Sequence, residues 1–186
     1  MTAVTVALPL GPASVRAGPG SADGPGSSPS GRCGRTSGLC HARRVPAARA
    51  LTLDTLGAWL VKTRGASPST RASALSGFAG VTTRCVRPSY RTELVAAGQP
   101  VLLWVSGAEA DHPAGIHAYG RTTGPVVDGV MPMSLTPLDV PVLRSELVGH
   151  PDLSALEVVR MPAGSNPTYV TRAQLALLRE LGVPGF

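Results

Sequence analysis

Val101-Leu102-Leu103-Trp104-Val105-Ser106-Gly107 begins with five apolar residues, β-branched or aromatic at three positions, and stops at a glycine. A strand with one wet face alternates apolar and polar side chains, so this unbroken run reads as a strand buried on both faces. Ile116 to Thr123, bounded by Gly115 and Gly124, is its expected neighbour. Upstream, Ala58-Trp59-Leu60-Val61-Lys62 reads as a first strand, followed by a loop through Gly65, Ser67 and Pro68. Val81 to Val86 reads as a second strand, and Pro88 opens a short helix carrying Tyr90, Leu94 and Val95 that stops at Gly98. Downstream, Val130 to Val140 is extended, and Pro132 and Pro137 make it irregular or an edge. A short helix over Arg144 to Val148 ends at Gly149, Glu157 to Arg160 reads as another strand, and Ala163 to Pro167 is a loop. The last helix is the best marked. Thr171 caps it, Gln174 completes a capping box, Leu175, Leu178 and Leu181 line one face, and Gly182 and Pro184 end it. Strands without regular βα alternation, separated by short helices, predict an α+β fold: a small β-barrel or curled sheet with flanking helices.

The composition divides the chain at residue 50. Residues 1–50 are rich in Gly, Pro, Ser, Ala and Arg and hold no aromatic residue, whereas all seven aromatics follow. Such a segment buries too little apolar area to offset its ordering entropy, so it reads as a disordered tail. A start assigned upstream of the folded domain is the favoured explanation, with a transit peptide as the alternative. The domain is expected over residues 51–186. The net charge of +6 also divides there: six arginines against Asp23 leave +5 on the tail, and 11 basic against 10 acidic groups leave +1 on the rest. The high pI therefore says little about what the domain binds. Three cysteines, Cys33, Cys40 and Cys85, make no disulfide framework and suit a reducing cytoplasm. Cys33 and Cys40 beside His41 match no metal-ligand spacing, so no metal is expected. No apolar run reaches the roughly 18 residues that a bilayer span needs.

Three blocks resemble the EVE family. Trp59-Leu60-Val61-Lys62 is similar to its opening Trp-Leu-x-Lys strand. Tyr90-Arg91-Thr92-Glu93-Leu94, Gly98 and Val101 to Gly107 are similar to its Tyr-Arg, Gly, strand, Ser-Gly series. Leu156 to Pro162 followed by Gly164-Ser165-Asn166-Pro167-Thr168-Tyr169 is similar to the closing segment of bacterial members. Together they cover roughly residues 57–181. The resemblance implies a PUA-like barrel that recognises a modified base, such as methylated or hydroxymethylated cytosine in DNA, or a modified base in RNA. Fold kinship alone is an associational warrant for function. Two departures stand out: Arg84 occupies a position where many members carry Trp, and the stretch Thr123 to Met131 is shorter than in many relatives.

A flipped or single-stranded base needs flat apolar surface on its faces and hydrogen-bond partners at its edge. Trp59, Tyr90 and Trp104 are the candidate stacking residues, although a Trp on a strand is ordinarily core. Ser106, Ser165 and Asn166 are candidates for the base edge; the ordinary reading is local turn bonding. Lys62, Arg91 and Arg160 are candidates for phosphate, or else solvated charges. Nothing points to an enzyme. His112, His117 and His150 lie in no nucleophile context, Cys85 in a strand reads as a buried small hydrophobe, and no cofactor loop follows a strand. The expectation is a nucleic-acid-binding module without catalytic residues, cofactor or membrane partner. A PUA-like binder of modified RNA and a pocket-less protein-interaction scaffold are the alternatives.

Overall fold

A computed structural model describes residues 50–107 and 111–186. The expectations for residues 1–49, including the disordered tail and Cys33, Cys40 and His41, lie outside the described residues. Six strands form one mixed sheet in the order β2-β5-β4-β3-β1-β6, curled into a half-barrel. They are β1 (Leu56–Arg64), β2 (Thr83–Cys85), β3 (Pro100–Ser106), β4 (Gly115–Thr122), β5 (Val130–Leu143) and β6 (Thr168–Thr171). Helices α1 (Pro68–Leu75), α2 (Arg144–Gly149), α3 (Glu157–Arg160) and α4 (Arg172–Glu180) flank it. β1 runs parallel to β3 and antiparallel to β6.

The unbroken apolar runs follow from burial on both faces. Along β1, Ala58 and Leu60 join a core roofed by Leu147, Leu156, Leu175 and Leu178, whereas Trp59 and Val61 enter a second core with Phe78, Val81 and Met131. β3 divides the same way, Leu102 and Trp104 against Val101, Leu103 and Val105. In β4 the alternation breaks at His117, where the pairing register shifts against both β3 and β5. Ile116 and Ala118 consequently enter opposite cores, as expected of a bulge.

Three local expectations need correction, and one strand was not anticipated. The loop after β1 contains α1, with Pro68 in its first turn, where a missing N–H is harmless. The Pro88 segment forms only a 3-10 turn at Thr92–Leu94. Glu157–Arg160 is helical, because its span packs Val158 and Val159 into the first core as one short turn. Residues 168–171 form β6, whose four residues were too few to show a period. β5 tolerates Pro137 and Pro141 because β2 pairs with it only from Val130 to Pro132, so the rest of β5 has one neighbour. The short Thr123 to Met131 stretch closes as a hairpin turn. Val127 and Val130 bond each other, and Asp128 and Gly129 take φ of 50° and 72°. Positive φ at both central residues is the primed turn that matches strand twist.

Candidate nucleic-acid interface

α3 and the Ala163 to Pro167 loop stand against the segment between β2 and β3, and an open cleft of about 290 Å³ lies between them. Tyr90, Arg91, Glu157, Met161, Ser165 and Asn166 line it. A second cleft of about 290 Å³ shares Arg91, Glu157 and Met161 and extends to Arg160, Tyr169 and Gln174. The Arg91–Glu157 pair divides the two: one guanidinium nitrogen donates to both carboxylate oxygens at 2.9 Å. The same guanidinium lies 6.0 Å from the Tyr90 ring centre and 5.0 Å from that of Tyr169. Burial opposes the charge on Arg91, but its bonds to Glu157 and Tyr90 outweigh that and raise its pKa above the ordinary arginine value. The Tyr90 hydroxyl is shifted down, first by its contact with Arg91 and then by the N–H of Leu51. Tyr90 is 49% exposed and Met161 59%, so an apolar ring and a thioether stand open beside a fixed ion pair.

The nine sequence candidates divide in two. Tyr90, Arg91, Ser165 and Asn166, which come from two distant blocks, meet in one cleft, and Arg160 lines the adjoining one. Trp59 does not join them. It is fully buried, and its indole N–H donates to Gln99 Oε1 at 2.6 Å, so its ring presents no face to a ligand. Trp104 is 2% exposed and belongs to the first core. Ser106 lines neither cleft; its hydroxyl donates to the Thr63 carbonyl at 2.8 Å and ties β3 to β1. Asn166 reaches the cleft, but its side-chain amide pairs like a strand. Oδ1 accepts from the Lys62 N–H at 2.8 Å and Nδ2 donates to the Lys62 carbonyl at 3.0 Å. Lys62 tethers the loop, its ammonium donating to the carbonyls of Pro162 and Gly164. Burial lowers its pKa, partly offset by Glu157. Ser165 remains exposed at the rim.

Glu157 and Met161 are the residues that the sequence reading passed over, because nothing in the order of residues pairs Glu157 with Arg91. Arg84, at the position where many EVE members carry Trp, lies on β2 opposite Met131 and lines neither cleft. Burial lowers its pKa, and its Nε has no hydrogen-bond partner. Cys85 is exposed on the edge strand, not buried. Among the described residues, no cluster of three or more His, Cys, Asp or Glu is placed to hold a metal, and no helix is long and apolar enough to cross a membrane.

No protein-family profile matches the chain, and no curated protein sequence does. Solved structures do resemble it. The NMR structure of Rpa0253 from Rhodopseudomonas palustris superposes with a TM-score of 0.50 at 15% identity, over 68% of this chain and 93% of that one. A hypothetical protein from Leishmania major gives 0.52 at 13% identity, over 68% and 94%. PSPTO5229 from Pseudomonas syringae gives 0.51 at 13% identity, over 68% and 99%. At such identities the likeness establishes a shared fold and nothing of function.

Proposed function

We propose that the chain is a PUA-like, EVE-type module that binds one nucleic-acid base in the cleft beside the Arg91–Glu157 pair. The observation that supports this reading is the convergence of Tyr90-Arg91 and Ser165-Asn166, distant in sequence, on one open cleft. Tyr90 supplies a π-face and Met161 an apolar surface. Glu157 supplies acceptor oxygens whose remaining lone pairs suit an exocyclic amino group, as on cytosine. The Ser165 hydroxyl reaches the same rim. Arg160 in the adjoining cleft is placed to meet a strand phosphate, which would position the strand without reading its sequence. The cleft, about 290 Å³, stands at the lower end of the roughly 300–1,000 Å³ of small-ligand sites, with room for one base. No side chain fills it, which favours ligand binding over a protein-contact scaffold. The cysteine usage and the lack of a long apolar helix among the described residues suit a cytoplasmic setting.

The test is a titration of the full chain with short single-stranded DNA and RNA carrying cytosine, methylcytosine or hydroxymethylcytosine. Tyr90→Ala should weaken the best ligand by about 1–3 kcal/mol, roughly ten- to hundredfold, the usual worth of one stacked base. Undiminished affinity in that variant would remove the cleft from the argument. A preference for the RNA series would select the RNA alternative.

A further inference from the structure

Another cleft lies on the other side of α4 and shares no residue with the proposed base site. It measures about 370 Å³, and Arg121, Arg172 and Arg179 line it together with Leu56, Leu175 and Phe186. Arg172, Leu175 and Arg179 fall at helical spacing on one face of α4, whereas Gln174 lines the cleft that adjoins the base site. Residues 51–186 carry a charge of only +1, yet three arginines, all exposed, line this one cleft and no acidic side chain does. Asp54 and Glu180 are near in sequence but line no part of it. Among the described residues none of the three arginines has an ion-pair partner.

The existing bonds of Arg121 and Arg172 orient these two without exhausting them. Arg121 donates one Nη1 bond to the Gly98 carbonyl at 2.6 Å. Arg172 makes two long bonds, from Nε to Leu56 O at 3.4 Å and from Nη2 to Leu53 O at 3.5 Å. A guanidinium carries five donors, so most remain unused. Three cations around one cleft favour an anion there, and forked N–H pairs match the tetrahedral oxygens of a phosphate. The floor is apolar: Leu175 is buried, and Phe186 is half-buried with its ring edge-on to Tyr119 at 6.0 Å.

We propose that this cleft is a second ligand site for a phosphate-bearing organic compound. Arg121, Arg172 and Arg179 hold the phosphate, and the body lies against Leu56, Leu175 and Phe186. Inorganic pyrophosphate is the first probe because it carries no base to stack on Tyr90, and the arginine variants separate this cleft from Arg160. Calorimetric titration of the full chain should show saturable binding. Arg172→Gln combined with Arg179→Gln should weaken it about tenfold or more, as expected on removing two charge-assisted partners. Arg179→Lys should restore part of the loss, and Arg144→Gln, on an exposed residue of α2 outside the cleft, should titrate like the parent. Melting temperatures of all variants guard against misfolding. A second series compares a dinucleotide with and without a 5′-phosphate in a Tyr90→Ala background. Preference for the phosphorylated form identifies a terminal phosphate, and equal binding of both, abolished in the arginine double variant, identifies the internal phosphodiester. Pyrophosphate binding that is absent, or unchanged in the double variant, would overturn the proposal and leave the Tyr90 site untouched.

Discussion

Replacing Trp59 by phenylalanine separates a core role from a ligand role. Trp59 is fully buried among Val61, Val101, Leu103 and Met131 of the second core. Its Nε1 donates at 2.6 Å to Gln99 Oε1, which also accepts the Ala96 N–H at 2.9 Å, while Gln99 Nε2 donates to the Leu94 carbonyl at 2.9 Å. Phenylalanine keeps most of the apolar contact and deletes the N–H. Gln99 Oε1 keeps its bond from Ala96, so the lost bond costs about 1 kcal/mol and leaves no orphan acceptor. The smaller ring leaves a partial void worth about another 1 kcal/mol. The sum, about 2 kcal/mol, lowers the melting temperature by about 6–10 °C for a domain of this size. Trp59→Ala, with the whole ring gone, costs about 3–5 kcal/mol. Thermal unfolding followed by circular dichroism measures both, and oligonucleotide affinity taken well below the transition should stay within about twofold of the parent for Trp59→Phe. A Trp59→Phe protein that melts like the parent but loses binding tenfold would show that the ring reaches the ligand, and the core assignment would be wrong.

Asn166→Ala should lower stability in urea by about 1–3 kcal/mol, because it leaves the Lys62 N–H and carbonyl without their side-chain partners. Glu157→Gln should reduce the preference for cytosine-type bases more than it reduces overall binding, since it removes the charged acceptor and loosens Arg91; equal loss across all bases in the titration would refute an edge contact. His117 tests the pH response. Burial depresses its pKa below 6.5, His112 adding to the shift and the 2.7 Å contact with the Pro113 carbonyl opposing it. The unfolded chain therefore binds the proton first, so the stability from neutral His117 is complete above pH 6.5 and declines as pH falls from there through the folded pKa. Melting temperature against pH should show this decline, and His117→Gln should flatten it.

The strands were legible because their signals are local. The β3 run, the β4 glycines and the α4 capping box each state their element within a dozen residues, and Thr171 does accept the Gln174 N–H at 3.2 Å. β6 and α3 were not legible in the same way. Four residues hold one helical period or two strand periods, too few to choose between them, and for α3 the tertiary contact of Val158 and Val159 with the first core decides. Cys85 misled for a related reason: β2 is an edge strand of three residues, so β-type composition did not imply burial.

The candidate site was legible at its lips and not at its wall, and the difference has one physical cause. Residues in loops and turns declare their accessibility, because backbone without regular pairing runs at the surface. Tyr90, Arg91, Ser165 and Asn166 lie on such segments, and all reach the cleft. Trp59 and Trp104 lie inside strands buried on both faces, where successive side chains enter two different cores. Alternation tells which residues share a face but not whether that face meets a ligand or another side chain, and for Trp59 the answer rests with Gln99, forty residues away. The same limit hid Glu157. Its carboxylate could be paired with Arg91 only after the fold had brought α3 against the segment preceding β3.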